Sequence, residues 1–411
     1  MSDVEAPPAS YGSVLGDREF RAVFLSDTVS VVGDQVARIA VALLVYDRTG
    51  SPLAASATYA CTYLAWLLGG PVLSALADRL PRRRVIVTAD VARAALVGLL
   101  VLPGLPTALV FAALVAVGLM SPPFEAARSA LMADILIGDR YVVGNALIGT
   151  TGQAGQVGGF VVGGALVAAL GTRGALFVDA VTFAVSAVLF VALVHDRPVP
   201  PAPTAERGLQ ALATGFRVVS GGRDLRALVG WGALAAAVTI PPEGLAVAVA
   251  QDLHGGSVTA GVLTATVPAG FVIGSWLLLR LPGSRRRALF PWLVGASAGL
   301  LALSPLLHSV WLLAALWTVA GAGTALQTVA NSAFVQAVPR ALRGRAFGVA
   351  ATILMAVQGV VLLAAGALAE PLGAVGAISA LAVAGLVVLA AALLAGSLRL
   401  MSPSGAAGMS R

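Results

Sequence analysis

The stretch "SALADRLPRRRVI", Ser74 to Ile86, sets one acid and four arginines between two long apolar runs. A cation cluster of that density suits a phosphate backbone or the polar edge of a membrane. Composition separates the two. The 411-residue chain carries a formal charge of +7, yet 58% of its residues are hydrophobic and only 11% are charged. Its mean hydropathy is +0.93 and its pI about 10.6. A soluble basic protein spreads its charge over a polar surface, whereas this composition belongs to lipid.

A helix crosses the hydrocarbon with about 20 apolar residues. The chain holds twelve such runs, at 20–46, 52–77, 85–103, 107–124, 141–170, 175–194, 225–250, 258–279, 288–306, 310–338, 346–369 and 373–398. The first seventeen residues are polar and acidic and lack the cationic start of a cleaved signal peptide, so the first helix is expected to stay. The lone cysteine, Cys61, lies in an apolar run and excludes a disulfide framework. All 26 basic residues are arginine, which with the abundant Ala and Gly reads as a GC-rich, bacterial codon bias.

The arginines separate by loop parity. Arg48 and Arg173 fall in odd-numbered loops and Arg38 and Arg93 within spans, while the other 22, counting an arginine at the very start of a span, such as Arg21, with the segment before it, lie at the termini or in even-numbered loops. Positively charged short loops stay in the cytoplasm, which places both termini inside and argues against a single nucleic-acid-binding face. The sequence also repeats half a chain length later. "RSALMADIL" from Arg128 returns as "NSAFVQAVP" from Asn331, "GGALVAALG" ending at Gly171 as "AGALAEPLG" ending at Gly373, and "DRLPRRR" at Asp78 as "LRLPGSRRR" at Leu279. Two parallel six-helix halves describe a transporter with its binding site between them. The expected organisation is a cytoplasmic tail at 1–19, a bundle at 20–194, a linker with an amphipathic helix at 195–224, a second bundle at 225–398 and a tail at 399–411.

On these phrases the chain resembles the major facilitator superfamily. The loop signature of that superfamily, G-x-L-A-D-R-x-G-R-R, is met by "SALADRLPRR" except that Ser74 and Pro81 replace the glycines. "FRAVFLSDTVSVVGDQVARIAVALLVYDRTGS", "VTADVARA" and "LFVDAVTFAVSAVLF" resemble its enterobactin-exporter and multidrug efflux branch. The resemblance implies an all-α membrane fold of twelve helices in two pseudo-symmetric bundles. It also implies a gate at Asp78, Arg79 and Arg82, one-sided because Leu279 replaces the acid in the second half. The other reading of these arginines is that they fix topology and meet anionic lipid. "GQVGGFVVGG" has the spacing of the exporters' G-x-x-x-G-P-x-x-G-G, with Phe160 for the proline. Packing alone would also account for Gly155, Gly159, Gly163 and Gly164, since small residues let helices approach.

Charges within spans are the functional leads, because they are expensive in lipid and face a cavity or a partner. Asp27, Asp34 and Arg38 share one stripe of helix 1. Asp34 is either a proton-exchanging carboxylate or the structural partner of Arg38, one turn away. Glu243 follows Pro241 and Pro242, where missing amide donors should break helix 7 at a substrate or proton site. Asp90 and Arg93 read as a pair near the inner end of helix 3, and Asp179 as an anchor at the outer end of helix 6. Helix 4, read as Thr107 to Phe124, lacks the embedded arginine that many drug and proton antiporters carry there.

Gln35, Trp231, Gln327, Asn331 and Gln358 are the cavity candidates, few and scattered among apolar residues. An amphiphilic substrate fits such a lining better than a sugar. A Walker lysine is missing and the three histidines stand apart, so no nucleotide motor and no metal or other cofactor is expected; the proton gradient is the energy source. The leading expectation is a proton-coupled exporter of an amphiphilic small molecule, not an enzyme. An importer or uncoupled facilitator, and a non-transporting scaffold or sensor, are the alternatives. The protein is expected as a multi-pass monomer in the bacterial cytoplasmic membrane, its partners being lipid and a small molecule.

Overall fold

The computed structural model describes residues 10–77, 80–197, 208–282, 286, 289–339 and 342–395, and every regular element among them is helical. The first half comprises α1 (Tyr11–Leu15), α2 (Arg18–Thr49), α3 (Pro52–Ala77), α4 (Arg82–Leu100), α5 (Thr107–Ile135) and α6 (Asp139–Leu193). Then come α7 (Gly208–Gly221), α8 (Arg223–Thr239), α9 (Pro241–Asp252), α10 (Ser257–Leu279), α11 (Phe290–Ala302), α12 (Val310–Ala322), α13 (Leu326–Ala337), α14 (Arg343–Leu372) and α15 (Ala374–Leu394). Short 3-10 turns at Ser304–Leu306 and Gly323–Ala325 follow α11 and α12.

The described residues of each of the twelve apolar runs are mainly helical. Among the described residues eight segments are long and apolar enough to cross a membrane, and α6, at 55 residues, holds two spans. Those two meet at Gly171, whose φ of 74° and ψ of 171° interrupt the helix. The equivalent glycine of the sequence repeat, Gly373 between α14 and α15, has φ 73° and ψ 161°. Only glycine populates that region freely, so the two halves turn their last pair of helices with the same device. Gly171→Ala is expected to cost about 1–3 kcal/mol, read as a lower melting midpoint in detergent, although a Cβ there would meet nothing within 4 Å.

Packing divides the chain into two units. The first comprises residues 1–41 and 68–205, the second 42–67 and 206–411. In the first unit Phe20, Ile86, Phe124, Leu131 and Phe190 belong to one apolar core. The second span of α6 shows what solvent this core expects. It exposes Phe177, Val181, Val185 and Val188 and buries Asp179, Phe183, Ser186 and Phe190. Apolar outside and charged inside is the pattern of a helix in lipid.

Helix α5 is longer than its apolar run. It continues through Pro122 and Pro123 to Ile135 and so brings Glu125 and Arg128 into helix 4. Prolines are tolerated inside membrane helices where neighbours satisfy the freed backbone; the apolar run ends at Phe124, just before Glu125, so a span bounded by apolar residues left the arginine out.

The second unit has its own core about Trp231, Phe290, Leu326 and Phe334. Helices α10 and α12 cross backbone to backbone: a Cβ on Gly270 would lie 2.1 Å from the Thr318 carbonyl oxygen, and one on Gly274 2.2 Å from that of Ala322. The segment 42–67 packs here. Gly366 and Gly359 of α14 lie against Leu53 and Leu64 of α3, and Ser56 Oγ donates to the Leu362 carbonyl at 2.7 Å. Glu370 Oε1 accepts from Ser51 Oγ at 2.6 Å and from the Leu53 amide at 3.3 Å, closing the N-terminus of α3. Within the linker, α7 rests on α8 and on α14, where Gly215 approaches the Arg345 carbonyl.

Candidate functional site

The arginines of the opening stretch act on helix ends. Arg82 pairs with Asp134 and donates to the Ala130 carbonyl at 3.2 Å, both in the last turns of α5. Arg83 donates to the Val191 carbonyl at 2.5 Å, near the end of α6, and Arg84 meets Asp196 at 3.4 Å. Three guanidiniums thus sit at the negative ends of two helix dipoles. Asp78 and Arg79, the other gating candidates, lie outside the described residues.

The helix 1 stripe divides between two sites. Asp27 is 7% exposed and pairs with Arg128 of α5, whose Nη2 also donates to Glu125 Oε2 at 2.6 Å. About two turns further along α2, Asp34 lies within electrostatic reach of both Arg93 of α4 and Arg38 of its own helix. Arg38 is therefore one of two cations around Asp34. Gln35 is buried and its Nε2 donates to the Val31 carbonyl at 3.1 Å.

Arg93 and Asp90 are fully internal. They stand at mid-helix in α4, not at its inner end, with Nη1 3.8 Å from Oδ1. The guanidinium lies over the rings of Phe124 at 4.7 Å and Phe183 at 5.5 Å, which fix its plane. Asp90 Oδ2 accepts from Ser186 Oγ at 2.5 Å, and Ser186 Oγ is 2.5 Å from Ser26 Oγ on α2. Asp179 also belongs here. It is 1% exposed, its Oδ1 accepts from Thr182 Oγ1 at 3.2 Å, and it packs on the bare backbone of Gly33. The expectation of a loop anchor is corrected: Gly171 already supplies the turn, and Asp179 lies two turns inside the bundle. Its neighbour through space is Asp34.

The glycine run of α6 faces α2 at this level. A Cβ on Gly159 would come 2.9 Å from Gln35 Cβ, one on Gly163 2.9 Å from Val36 Cα, and one on Gly155 3.2 Å from Val31 Cγ1. Gly164 is buried in the same helix. The close approach is what brings the α2 carboxylates among the polar groups of α6.

In the second unit α8 gives way to α9 at Ile240, where Pro241 and Pro242 donate nothing and the Glu243 amide bonds the Ile240 carbonyl at 3.0 Å. Ile240 keeps helical dihedrals, φ −77° and ψ −29°, so the expected break appears as missing amide donors and not as a departure from helical backbone at that residue. Glu243 is 6% exposed, and Tyr63 Oη donates to its Oε1 at 3.5 Å. Among the cavity candidates Trp231 is corrected to the core: it is 1% exposed and meets Phe290 edge-on at 6.2 Å. Gln327 is half-buried, Asn331 exposed, and Gln358 Nε2 donates to the Leu354 carbonyl at 3.2 Å.

Glu125 and Arg128 lay beyond the apolar run that ends at Phe124, and the clustering of Asp90, Arg93 and Asp179 with Asp34 spans three helices that no local spacing connects. Only the phrase "RSALMADIL" drew attention to Arg128 in advance.

No curated protein matches the chain. Solved structures resemble its fold. A bacterial homologue of the human lysosomal transporter Spinster, inward-facing and unoccupied, aligns with a TM-score of 0.73 at 16% identity over 92% of this chain and 97% of its own. A mutant of the nucleoside transporter NupG aligns at 0.74 and 14%, over 92% and 99%. A bacterial homologue of the iron transporter ferroportin, also inward-facing, aligns at 0.71 and 15%, over 93% and 99%. These likenesses carry the fold alone. The family model described as Major Facilitator Superfamily matches residues 23–282, more than half of the sequence. A multi-pass helical membrane protein with that match and that fold is a transporter of the major facilitator superfamily, and the chain belongs to it.

Proposed function

We propose that the protein is a proton-coupled exporter of amphiphilic small molecules in the bacterial cytoplasmic membrane, with both termini in the cytoplasm. The observation that carries this reading is the placement of two helix 1 carboxylates, Asp27 and Asp34, each opposite a guanidinium from another helix. A carboxylate so placed releases its cation partner when it takes a proton, which links protonation to the packing of helices. Arg128 supplies the helix 4 arginine that proton antiporters of this type carry. Glu243, buried beside Tyr63, gives the second unit an anionic group for a substrate cation, and the apolar helices around it suit the rest of an amphiphile. Outward direction is supported by the exporter-like phrases of the first half. A fluorescent aromatic cation, ethidium, is a fitting probe.

Everted membrane vesicles containing the protein are expected to accumulate ethidium when their lumen is made acid, to lose it when the gradient is collapsed, and to accumulate less with Glu243→Gln. Vesicles whose ethidium uptake ignores the gradient would leave the facilitator reading. The topology is checked separately. Reporter fusions after Arg48 and Arg173 are expected to report outside and fusions after Arg84 and Arg287 inside; any reversal contradicts the arginine asymmetry.

A further inference from the structure

We infer that Asp34, Asp90 and Asp179, gathered from α2, α4 and α6 around Arg93, form a proton-holding site, and that the exchanged proton resides there and not at the Asp27–Arg128 pair. The inference rests on the proton-coupled reading and names its site.

The first argument is charge balance. Asp34 faces Arg93 and Arg38, and Asp90 and Asp179 face Arg93, so three carboxylates are set against two cations and one negative charge is left uncompensated inside a helical bundle. The neighbouring charges do not correct it. Asp27 and Glu125 both lie on Arg128, and that group is itself one charge negative. No further cation among the described residues reaches Asp34, Asp90 or Asp179 from α2, α4, α5 or α6. A buried charge without a partner is either paired or neutralised, and one proton brings the Arg93 cluster to neutrality.

The second argument is an unmet hydrogen bond. Asp90 is 0% exposed, and while its Oδ2 is held by Ser186, its Oδ1 has no hydrogen-bond partner; Arg93 Nε, 4% exposed as a residue, has none either. An ionised carboxylate whose second buried oxygen has only the 3.8 Å ion-pair contact with Arg93 and no hydrogen bond is poorly served, whereas the acid form carries no charge to solvate. Ser186 Oγ, 2.5 Å from both Asp90 Oδ2 and Ser26 Oγ, can turn its hydrogen toward either, so the site has a donor that adapts to both protonation states. A metal cation is a poor occupant, because two guanidiniums already face the cluster. The Asp27 group differs: both its acids are bonded to Arg128, and Glu125 is 39% exposed, so water can stabilise its excess charge.

The test titrates the purified full chain in detergent and follows the carboxylic acid C=O stretch by infrared spectroscopy from about pH 5 to about pH 9, the range in which ordinary Asp and Glu are already ionised. Wild type is expected to show an acid band that fades as pH rises. Asp90→Asn and Asp179→Asn each leave two carboxylates facing two cations, so each is expected to remove the band, while Asp27→Asn keeps it. The melting midpoint of wild type is expected to fall over the same interval, because the folded chain loses a proton that the unfolded chain never held; in the two cluster variants it is expected to stay flat. A merely structural role predicts lower midpoints at every pH with the band unchanged. If the Asn variants do not fold, Ser186→Ala, which removes the donor to Asp90 and its link to Ser26 but no charge, is expected to shift the pH at which the band fades. No titrating band in wild type, a band surviving both cluster variants, one lost only in Asp27→Asn, or one that fades on adding sodium at fixed pH overturns the assignment. Everted-vesicle ethidium uptake is scored independently: gradient-driven uptake without the band overturns this site alone, and a band without uptake overturns the exporter reading.

Discussion

Asp34→Asn is expected to abolish ethidium accumulation driven by a pH gradient in proteoliposomes and to leave counterflow, the exchange of ethidium for ethidium, near the wild-type rate. Exchange needs no net proton movement, so a lost proton group disables only the driven mode. The geometry sharpens this forecast. Asp34 faces Arg93 and Arg38 together, whereas Asp90 and Asp179 face Arg93, so removing Asp34 leaves Arg93 still opposed by two carboxylates in a cluster that was overcharged with acid. The variant should therefore fold. If Asp34 were only half of an ion pair with Arg38, deleting it would strand a buried cation at a cost of about 3–5 kcal/mol. The single variant would then express poorly, and the double change with Arg38→Gln would recover it. Thermal stability measured beside counterflow separates the outcomes, and a destabilised single variant rescued by the double contradicts a proton role for Asp34.

Gly270→Leu is expected to prevent folding, and Gly270→Ala to lower stability by about 1–3 kcal/mol or more, the range for overpacking a core. The atoms a Cβ would meet are the Thr318 carbonyl oxygen at 2.1 Å and the Ala322 amide nitrogen at 2.8 Å, both backbone, and backbone at a helix crossing cannot step aside as a side chain can. Gly321 faces back from α12 with the Val267 carbonyl oxygen 2.6 Å from its own would-be Cβ. Helices in lipid associate through such close approach, since burial of apolar surface offers little there. Gly158 is the control. It is exposed on α6 with nothing within 4 Å of a Cβ, so Gly158→Ala should be neutral or slightly stabilising. Melting of the two alanine variants in the same detergent checks the pair, and equal midpoints would contradict the crossing.

The fold was legible because lipid leaves a loud signal. Twelve apolar runs, the parity of the arginines and the repeat that pairs Gly171 with Gly373 are all local or periodic features, and the structure gives those two glycines nearly the same dihedrals. What misled was also local. The apolar run of helix 4 ends at Phe124, where Glu125 begins a charged stretch, and a span bounded by apolar residues left out Arg128, the partner of Asp27. Asp179 was read by its distance from a span end, yet Gly171 places the turn eight residues earlier and carries the carboxylate inward to Gly33. The stripe of Asp27, Asp34 and Arg38 was visible as a stripe, but a stripe names one helix only. Its division between Arg128 and Arg93 depends on which helices pack against α2, and that is set by Gly155, Gly159 and Gly163 meeting Val31, Gln35 and Val36 across a sequence gap no periodicity spans. Trp231 shows the converse: an amphipathic side chain in a cleft-lining helix of this fold, it turned to the core against Phe290.

Coupling between proton and substrate is the centre of the account, and it is read most directly without any imposed gradient. Proteoliposomes holding a pH-sensitive dye in their lumen, with equal pH on both sides, are given ethidium outside. The account predicts that ethidium enters faster than into protein-free liposomes and that the lumen turns alkaline as it does, since each entering cation is exchanged for a proton leaving. Ethidium entry with the lumen pH unchanged, or no entry above the protein-free control, would contradict it.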